Sequence, residues 1–260
     1  MLKILKYSFY DLMRSRWSYV YFLFYLLLGI VLLFLNNDLS KAVITLMNVI
    51  IILVPLIGTI FGVMYYYNSR EFTELLLAQP VKRSSIFLGQ YFGVAFSLAM
   101  SLVIGLGLPF VFYGIFNSNA IWDFSLLLVT GAFLTFIFTA LAFVIALANE
   151  NKIKGFGYAI LLWLFMAVIY DGLFLMSLIY FEDYPLDKFS LAATILNPVD
   201  LSRVLILLKL DISALLGYTG AVFQKFFGTN LGLIISMGML LLWVLVPTGI
   251  IYRMAKRKDF

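Results

Sequence analysis

Asp171 is a carboxylate in the middle of a long apolar stretch. A charge at mid-membrane costs about 2.5–3.5 kcal/mol on insertion scales, so such a group faces a bundle interior or a water-filled cavity. There it can pair with a cation or line a path. A helix break at Gly172, or a hydroxyl or amide from a neighbouring helix, would also shelter it. Charged side chains gather in two other places. Arg70, Glu71 and Glu74 stand among Phe72, Leu75, Leu76 and Leu77, just ahead of Gln79-Pro80. That is a short helix with charged flanks and an apolar edge, suited either to packing on its own bundle or to meeting a soluble partner. Asn197-Pro198 starts a helix, with Pro at its first position, and Asp200 and Arg203 on it are near enough to pair. What is missing bounds the chemistry as firmly. There is no His and no Cys, which removes zinc and haem ligation, Ser-His-Asp triads and disulfides. No G-x-x-x-x-G-K-[ST] or H-E-x-x-H is present, so P-loop hydrolysis and zinc peptidase chemistry are out. No catalytic residue and no metal site is expected. The ten Met read as gap-filling side chains and not as Cu(I) ligands.

The elements that position these residues are membrane spans. Of the 260 residues, 64% are hydrophobic and 12% charged, with mean hydropathy +1.05. A soluble domain is about 45–50% apolar and about 25% charged. Soluble globular, disordered and nucleic-acid-binding classes are excluded. A helix needs roughly 20 apolar residues to cross about 30 Å of hydrocarbon, and six runs qualify: 17–35, 42–67, 91–116, 122–148, 156–181 and 231–252. None alternates as a barrel strand would. The first run is too long for a signal peptide core, and Asn36-Asn37-Asp38 follows where small residues should stand, so it reads as an uncleaved span. Gly58 with Gly62, and Gly89 with Gly93, have the spacing that lets membrane helices approach closely.

Lys and Arg orient the chain. Thirteen lie at the N-terminus, in 68–90, in 149–155 and at the C-terminus, against five on the other side. Both termini are therefore expected in the cytoplasm of a bacterial inner membrane. Residues 1–16 form a cationic amphipathic helix with Leu2, Leu5, Phe9 and Leu12 on one stripe, placed to lie in the headgroup plane. The loop 68–90 should hold a helix ending near Pro80, then a new helix capped by Ser84 or Ser85. The turn 149–155 carries Glu150 and Lys152. Residues 182–228 form an external segment of one or two helices, on the outer surface or dipping in, opened by Glu182, Asp183 and Asp187. Residues 1–260 make one all-α membrane domain.

The run Arg70-Glu71-Phe72-Thr73-Glu74-Leu75-Leu76-Leu77-Ala78-Gln79-Pro80-Val81-Lys82-Arg83 resembles the loop after the second span of ABC-2-type transporter permeases, with one residue fewer between its Thr and Glu. In that family the loop is a coupling helix that docks on an ATPase subunit. The resemblance implies a type V exporter-like permease fold with an N-terminal elbow helix and external helices before the last span. It places Arg70, Glu71, Phe72, Glu74, Leu75, Leu76, Gln79 and Pro80 at the ATPase contact, with Glu150 and Lys152 as a second cytoplasmic contact. It implies a lipid-embedded homodimer, with ATP and Mg in the partner ATPase and no cofactor on this chain. A second stretch, Leu196-Asn197-Pro198-Val199-Asp200, Arg203, and Gly217 to Phe223, is similar to the external segment of permeases in Nos systems, which serve nitrous-oxide reductase copper-site maturation. This implies an external contact through Asn197, Pro198, Asp200, Arg203 and Phe223 with a periplasmic accessory protein. Asp171 is expected on a transport path or at the dimer seam. An exporter for another substrate, and a secondary transporter or scaffold working without ATP, are the alternatives; an adjacent ATPase gene separates the last from the others.

Overall fold

The computed structural model describes all residues except 37, 182–185, 210–219, 228 and 258–260. The described residues are helical almost throughout and contain no strand. An amphipathic helix α1 (Leu2–Arg14) precedes the first span, α2 (Arg16–Leu35). Then come α3 (Leu39–Asn68), short α4 (Arg70–Leu77), α5 (Arg83–Phe112) and α6 (Ile121–Ala148). The fifth span, Lys152–Tyr180, is built from α7 (Lys152–Leu164), a π turn (Phe165–Ile169) and α8 (Tyr170–Tyr180). Helices α9 (Asp187–Leu196), α10 (Pro198–Lys209) and α11 (Gly220–Phe227) lead to the sixth span, α12 (Asn230–Arg257). Among the described residues, six helices are thus long and apolar enough to cross a membrane, with the bent α9–α10 pair a seventh if it counts as one span. Thirty-residue helices such as α3 and α5 are about 45 Å long at 1.5 Å per residue, so their ends stand beyond the hydrocarbon.

Lipid tails are as apolar as Leu, so close packing and small residues hold spans together, not a drive to leave water. Helix α3 lies on α6 through Gly58 and Gly62. A Cβ on Gly62 would stand 2.7 Å from Ala142 Cβ, and one on Gly58 would stand 3.4 Å from the Thr135 carbonyl. Helices α2 and α5 meet the same way at Gly105, whose Cβ would fall 2.8 Å from Tyr25 Cβ. Gly89 and Gly93 of α5 form a groove for α1, where added Cβ atoms would fall 3.0 Å from Ile4 and 2.6 Å from Ser8. The two glycine pairs legible in the sequence therefore serve two different contacts, α3 on α6 and α5 on α1.

The structure corrects the sequence reading in three places. The helix of the third span starts at Arg83, with Lys82 as its N-cap, just ahead of the expected Ser84 or Ser85. The segment before Tyr91 is polar in composition, yet Ile86, Phe87, Gly89 and Gln90 are buried, because α1 fills its glycine face. The third span also ends earlier, at Phe112; Gly114 turns with φ 88°, and a 3-10 turn (Ile115–Asn117) follows. On α1, Ile4, Ser8 and Leu12 turn into the protein, so that of the Leu2–Leu5–Phe9–Leu12 stripe Leu12 is buried with them. Leu2 is exposed, and Leu5 and Phe9 sit over an apolar surface hollow with Phe96 and Phe136. Gly172 does not break the fifth span; the irregularity is the π turn ahead of it.

The segment between the fifth and sixth spans takes the dipping alternative. Helices α9 and α10 are bent by 114° at Asn197. That break lies beside Met166, midway along the fifth span, where Asn197 Nδ2 donates to the Met166 carbonyl at 2.8 Å. Midway along α12, Trp243 Nε1 donates to the Ile195 carbonyl at 3.2 Å. So sharp a bend at mid-span depth fits a re-entrant pair or a broken span, and Val199, Leu201, Val204 and Leu205 of α10 are buried in the bundle.

Candidate functional site

Helix α4 follows α3 after the single residue Ser69. Arg70 and Glu74 close an exposed i,i+4 ion pair at 3.1 Å; such pairs contribute only about 0.3–0.5 kcal/mol but keep the charged face ordered. Glu71, Gln79 and Pro80 are exposed, and Leu75 is 68% exposed. The opposite face is anchored. Phe72 stacks on Tyr7 of α1, ring centroids 4.5 Å apart, and Leu76 is half-buried. Thr73 is buried; its hydroxyl donates to the Ser69 carbonyl at 2.8 Å and accepts from Gln90 Nε2 at 2.8 Å. Gln90, fully buried on α5, is therefore a side-chain tie from α4 to the third span. Neither Thr73 nor Gln90 stood out in the sequence. A polar residue in a buried stretch of α5 is the one signal that pointed to Gln90.

The second polar turn is bound to the same place. Tyr67 Oη donates to the Asn149 carbonyl at 2.7 Å. Lys152 Nζ donates to Asn68 Oδ1 at 3.1 Å, and Asn151 Oδ1 caps α7 by accepting from the Ile153 and Lys154 amides. Gly155 packs directly on the Tyr67 ring, where a Cβ would collide with the hydroxyl. Glu150 is exposed. The end of α3, α4 and the 149–155 turn thus form one connected surface at the basic end of the bundle.

The second polar cluster is at the re-entrant break. Arg203 Nη1 donates to Asp171 Oδ2 at 2.6 Å and lies 3.7 Å from Asp200 Oδ1. Asp171 and Arg203 keep 34% and 25% of their side-chain surface; Asp200 is 6% exposed. Asn197 is fully buried and joins the pieces. Its Oδ1 caps α10 by accepting from the Val199 amide at 3.0 Å, and its Nδ2 reaches both the Met166 carbonyl and Asp200 Oδ2. A π turn often marks a functional position; the Met166 carbonyl that Asn197 takes lies within this one. Tyr170 Oη adds a bond to the Ala193 carbonyl at 2.7 Å. Asp171 is therefore neutralised by a cation from the re-entrant pair, and Asp200 and Arg203 are paired as their spacing predicts. Asn197, Pro198, Asp200 and Phe223, expected at an external contact, are buried, because they hold the re-entrant pair in the bundle. Arg203 alone of that group keeps accessible surface. Glu182, Asp183 and residues 217–219 lie outside the described residues.

Residues 4–216 match the ABC-2 family transporter proteins. The chain belongs to the ABC-2 transporter family. Two curated relatives are both described as probable ABC transporter permease protein NosY. One, from Stutzerimonas stutzeri, is 23% identical over 211 residues, covering 75% of this chain and 76% of the relative. The other, from Pseudomonas aeruginosa, is 24% identical over 230 residues, covering 78% and 80%. Together with the six apolar helices, this makes the chain a multi-pass membrane protein of ABC permease type.

Proposed function

We propose that this chain is the non-catalytic membrane subunit of an ATP-driven transporter, working as a homodimer with a separate ATPase on its basic face. One observation carries the reading: α4 shows Glu71, Glu74 and Leu75 outward while its inner face is tied to α1 and α5 through Phe72 and Thr73. A lever needs both an accessible face for the motor and a stiff connection to the body it moves. The adjacent 149–155 turn, with Glu150 and Lys152, extends the docking surface. ATP and Mg belong to the partner. Both termini then lie in the cytoplasm of a bacterial inner membrane, and α1 is the elbow in the headgroup plane.

Homodimerisation is supported by the fifth span. Only 11% of its apolar stretch is buried, against 61% for the third and fourth. A second copy covering part of that face would bring Asp171 close to the seam. The Asp171–Arg203 pair then links the fifth span to the re-entrant helices, carrying motion toward the periplasmic side and any accessory protein there. Similarity to two NosY permeases over three-quarters of the chain supports a role in nitrous-oxide reductase maturation, where the work done is movement of a cargo or transmission of force.

The test is co-purification of an ATPase subunit encoded beside this chain. Glu71→Lys with Glu74→Lys reverses the charge of the exposed face without touching Thr73 or Phe72. Recovery of the ATPase should fall at least tenfold, about 1.4 kcal/mol, with the permease still folded. Recovery at the wild-type ratio would refute docking at α4.

A further inference from the structure

A hollow of about 350 Å³ lies at the basic end where α1, α3 and α4 meet. Coupling as described makes no use of it. Its walls include Tyr7 and Asp11 of α1, Tyr65 of α3, Ser69 and Phe72 at the start of α4, and Trp17 at the start of α2. Tyr65 is 7% exposed, and its hydroxyl is sealed from solvent with Ser8 and Asp11 near it. The hollow is large enough for a small ligand group. Asp11 stands exposed at the hollow and forms no ion pair. It is the one acid on a helix whose other charged side chains are Lys3, Lys6 and Arg14. Stacked Tyr7 and Phe72 supply an aromatic wall. A carboxylate and aromatic faces together form a receptor for a small ammonium group, which offers three donors and is attracted by ring faces.

Position selects which ammonium. The hollow lies where α2 begins and α3 ends, at headgroup depth for spans of this length. Trp17 beside it is 60% exposed, as interfacial aromatic residues are. Arg14 and Arg16 flank Ser15, which also lines the hollow. Asp11 and Arg14 are one helical turn apart, roughly 5–6 Å between Cβ atoms. A negative and a positive group one turn apart mirror the two charges of a zwitterionic headgroup; a Lys from a protein partner would bring no phosphate for the arginines.

We propose that this hollow is a phosphatidylethanolamine site, with the ammonium held by Asp11 beside the Tyr7–Phe72 stack and the phosphate met by Arg14 and Arg16. The bound headgroup joins the elbow helix to the coupling helix, so lipid composition sets how firmly α4 is held. Binding is read on the permease alone, so its outcome is separate from that of the ATPase reading.

Native mass spectrometry of the purified full chain, titrated with phosphatidylethanolamine, phosphatidylcholine and phosphatidylglycerol of matched acyl chains, tests it. Phosphatidylethanolamine should bind at least tenfold tighter than phosphatidylcholine, whose methylated nitrogen cannot donate. Asp11→Asn should erase that preference while leaving phosphatidylglycerol binding unchanged, and Lys3→Ala should leave it intact. Equal binding of the two zwitterionic lipids by the wild-type chain, or a preference that survives Asp11→Asn, would overturn the assignment. So would displacement of phosphatidylethanolamine by added ATPase subunit coupled to loss of ATPase binding in Asp11→Asn, which would give the hollow to a protein side chain.

Discussion

Removing the cation from the Asp171–Arg203–Asp200 cluster should cost far more than removing one of its acids. Two unit charges about 4 Å apart attract by ~4 kcal/mol at an effective dielectric of 20. Desolvation and partial exposure take back much of that, since Asp171 and Arg203 keep 34% and 25% of their side-chain surface. Asp171→Asn preserves shape and still offers Arg203 an oxygen. Arg203 also keeps Asp200 at 3.7 Å, so no charge is stranded, and the loss is about 1–2 kcal/mol. Arg203→Met keeps the bulk of the stem but leaves two carboxylates facing each other. One of them, Asp200, is 6% exposed, with Asn197 as its remaining hydrogen-bond donor and its Oδ1 unbonded. Stranding a buried charge this way costs about 3–5 kcal/mol. The difference between the two variants is therefore about 2 kcal/mol, a factor of roughly 30 in the unfolding equilibrium.

Thermal unfolding of the purified protein in one detergent measures this ordering. At about 2–4 °C per kcal/mol for a chain of this size, Arg203→Met should melt at least about 4 °C below Asp171→Asn. Adding Asp200→Asn to Arg203→Met should recover part of the loss, because the stranded buried charge is gone. If Asp171→Asn melts as low as Arg203→Met, or the second substitution lowers stability further, the three-charge account is wrong.

Gln90→Leu removes the tie to Thr73 but also removes an amide oxygen that has no partner. Stability should stay within ~1 kcal/mol, while ATPase stimulation in the assembled complex falls severalfold; an unchanged rate would show that α4 is stiff without Gln90. Gly93→Val places a Cβ 2.6 Å from Ser8 Cβ and 2.8 Å from the Leu5 carbonyl, so α1 must retreat at about 1–3 kcal/mol; faster proteolysis within the first fifteen residues reads this out. Asn197→Ala takes a partner from Asp200, the Met166 carbonyl and the Val199 amide together. It should cost about 2–4 kcal/mol and expose α9–α10 to hydrogen exchange before the spans.

How far such features show in a sequence depends on whether they are local. Span existence is local: apolar runs longer than a bilayer is thick admit few other folds, and all six runs are helices. Helix α4 was legible for the same reason, since Pro80 follows its end and Arg70, Glu71 and Glu74 stand just ahead of its leucines. The packing of α5 was not, because its 83–90 segment is covered by α1, some eighty residues earlier, seated on Gly89 and Gly93. The re-entrant break is the extreme case. Asn197-Pro198 marks a helix start anywhere, and the sequence allowed either a surface or a dipping position. What decides is a set of partners, the Met166 carbonyl, Asp171, Tyr170 and Trp243, each thirty or more residues from the break or contributed through a different residue of the pair. A charged, cap-bearing segment cannot sit in hydrocarbon unless each of its polar groups is met by protein. Asp171 belongs to that requirement: it meets Arg203, the cation that a dipping helix with Asp200 on it has to bring along. An intramembrane acid in one span and an unneutralised Arg in a nearby apolar segment are thus a sequence signature of a re-entrant pair, and the cost of the first is the reason for the second.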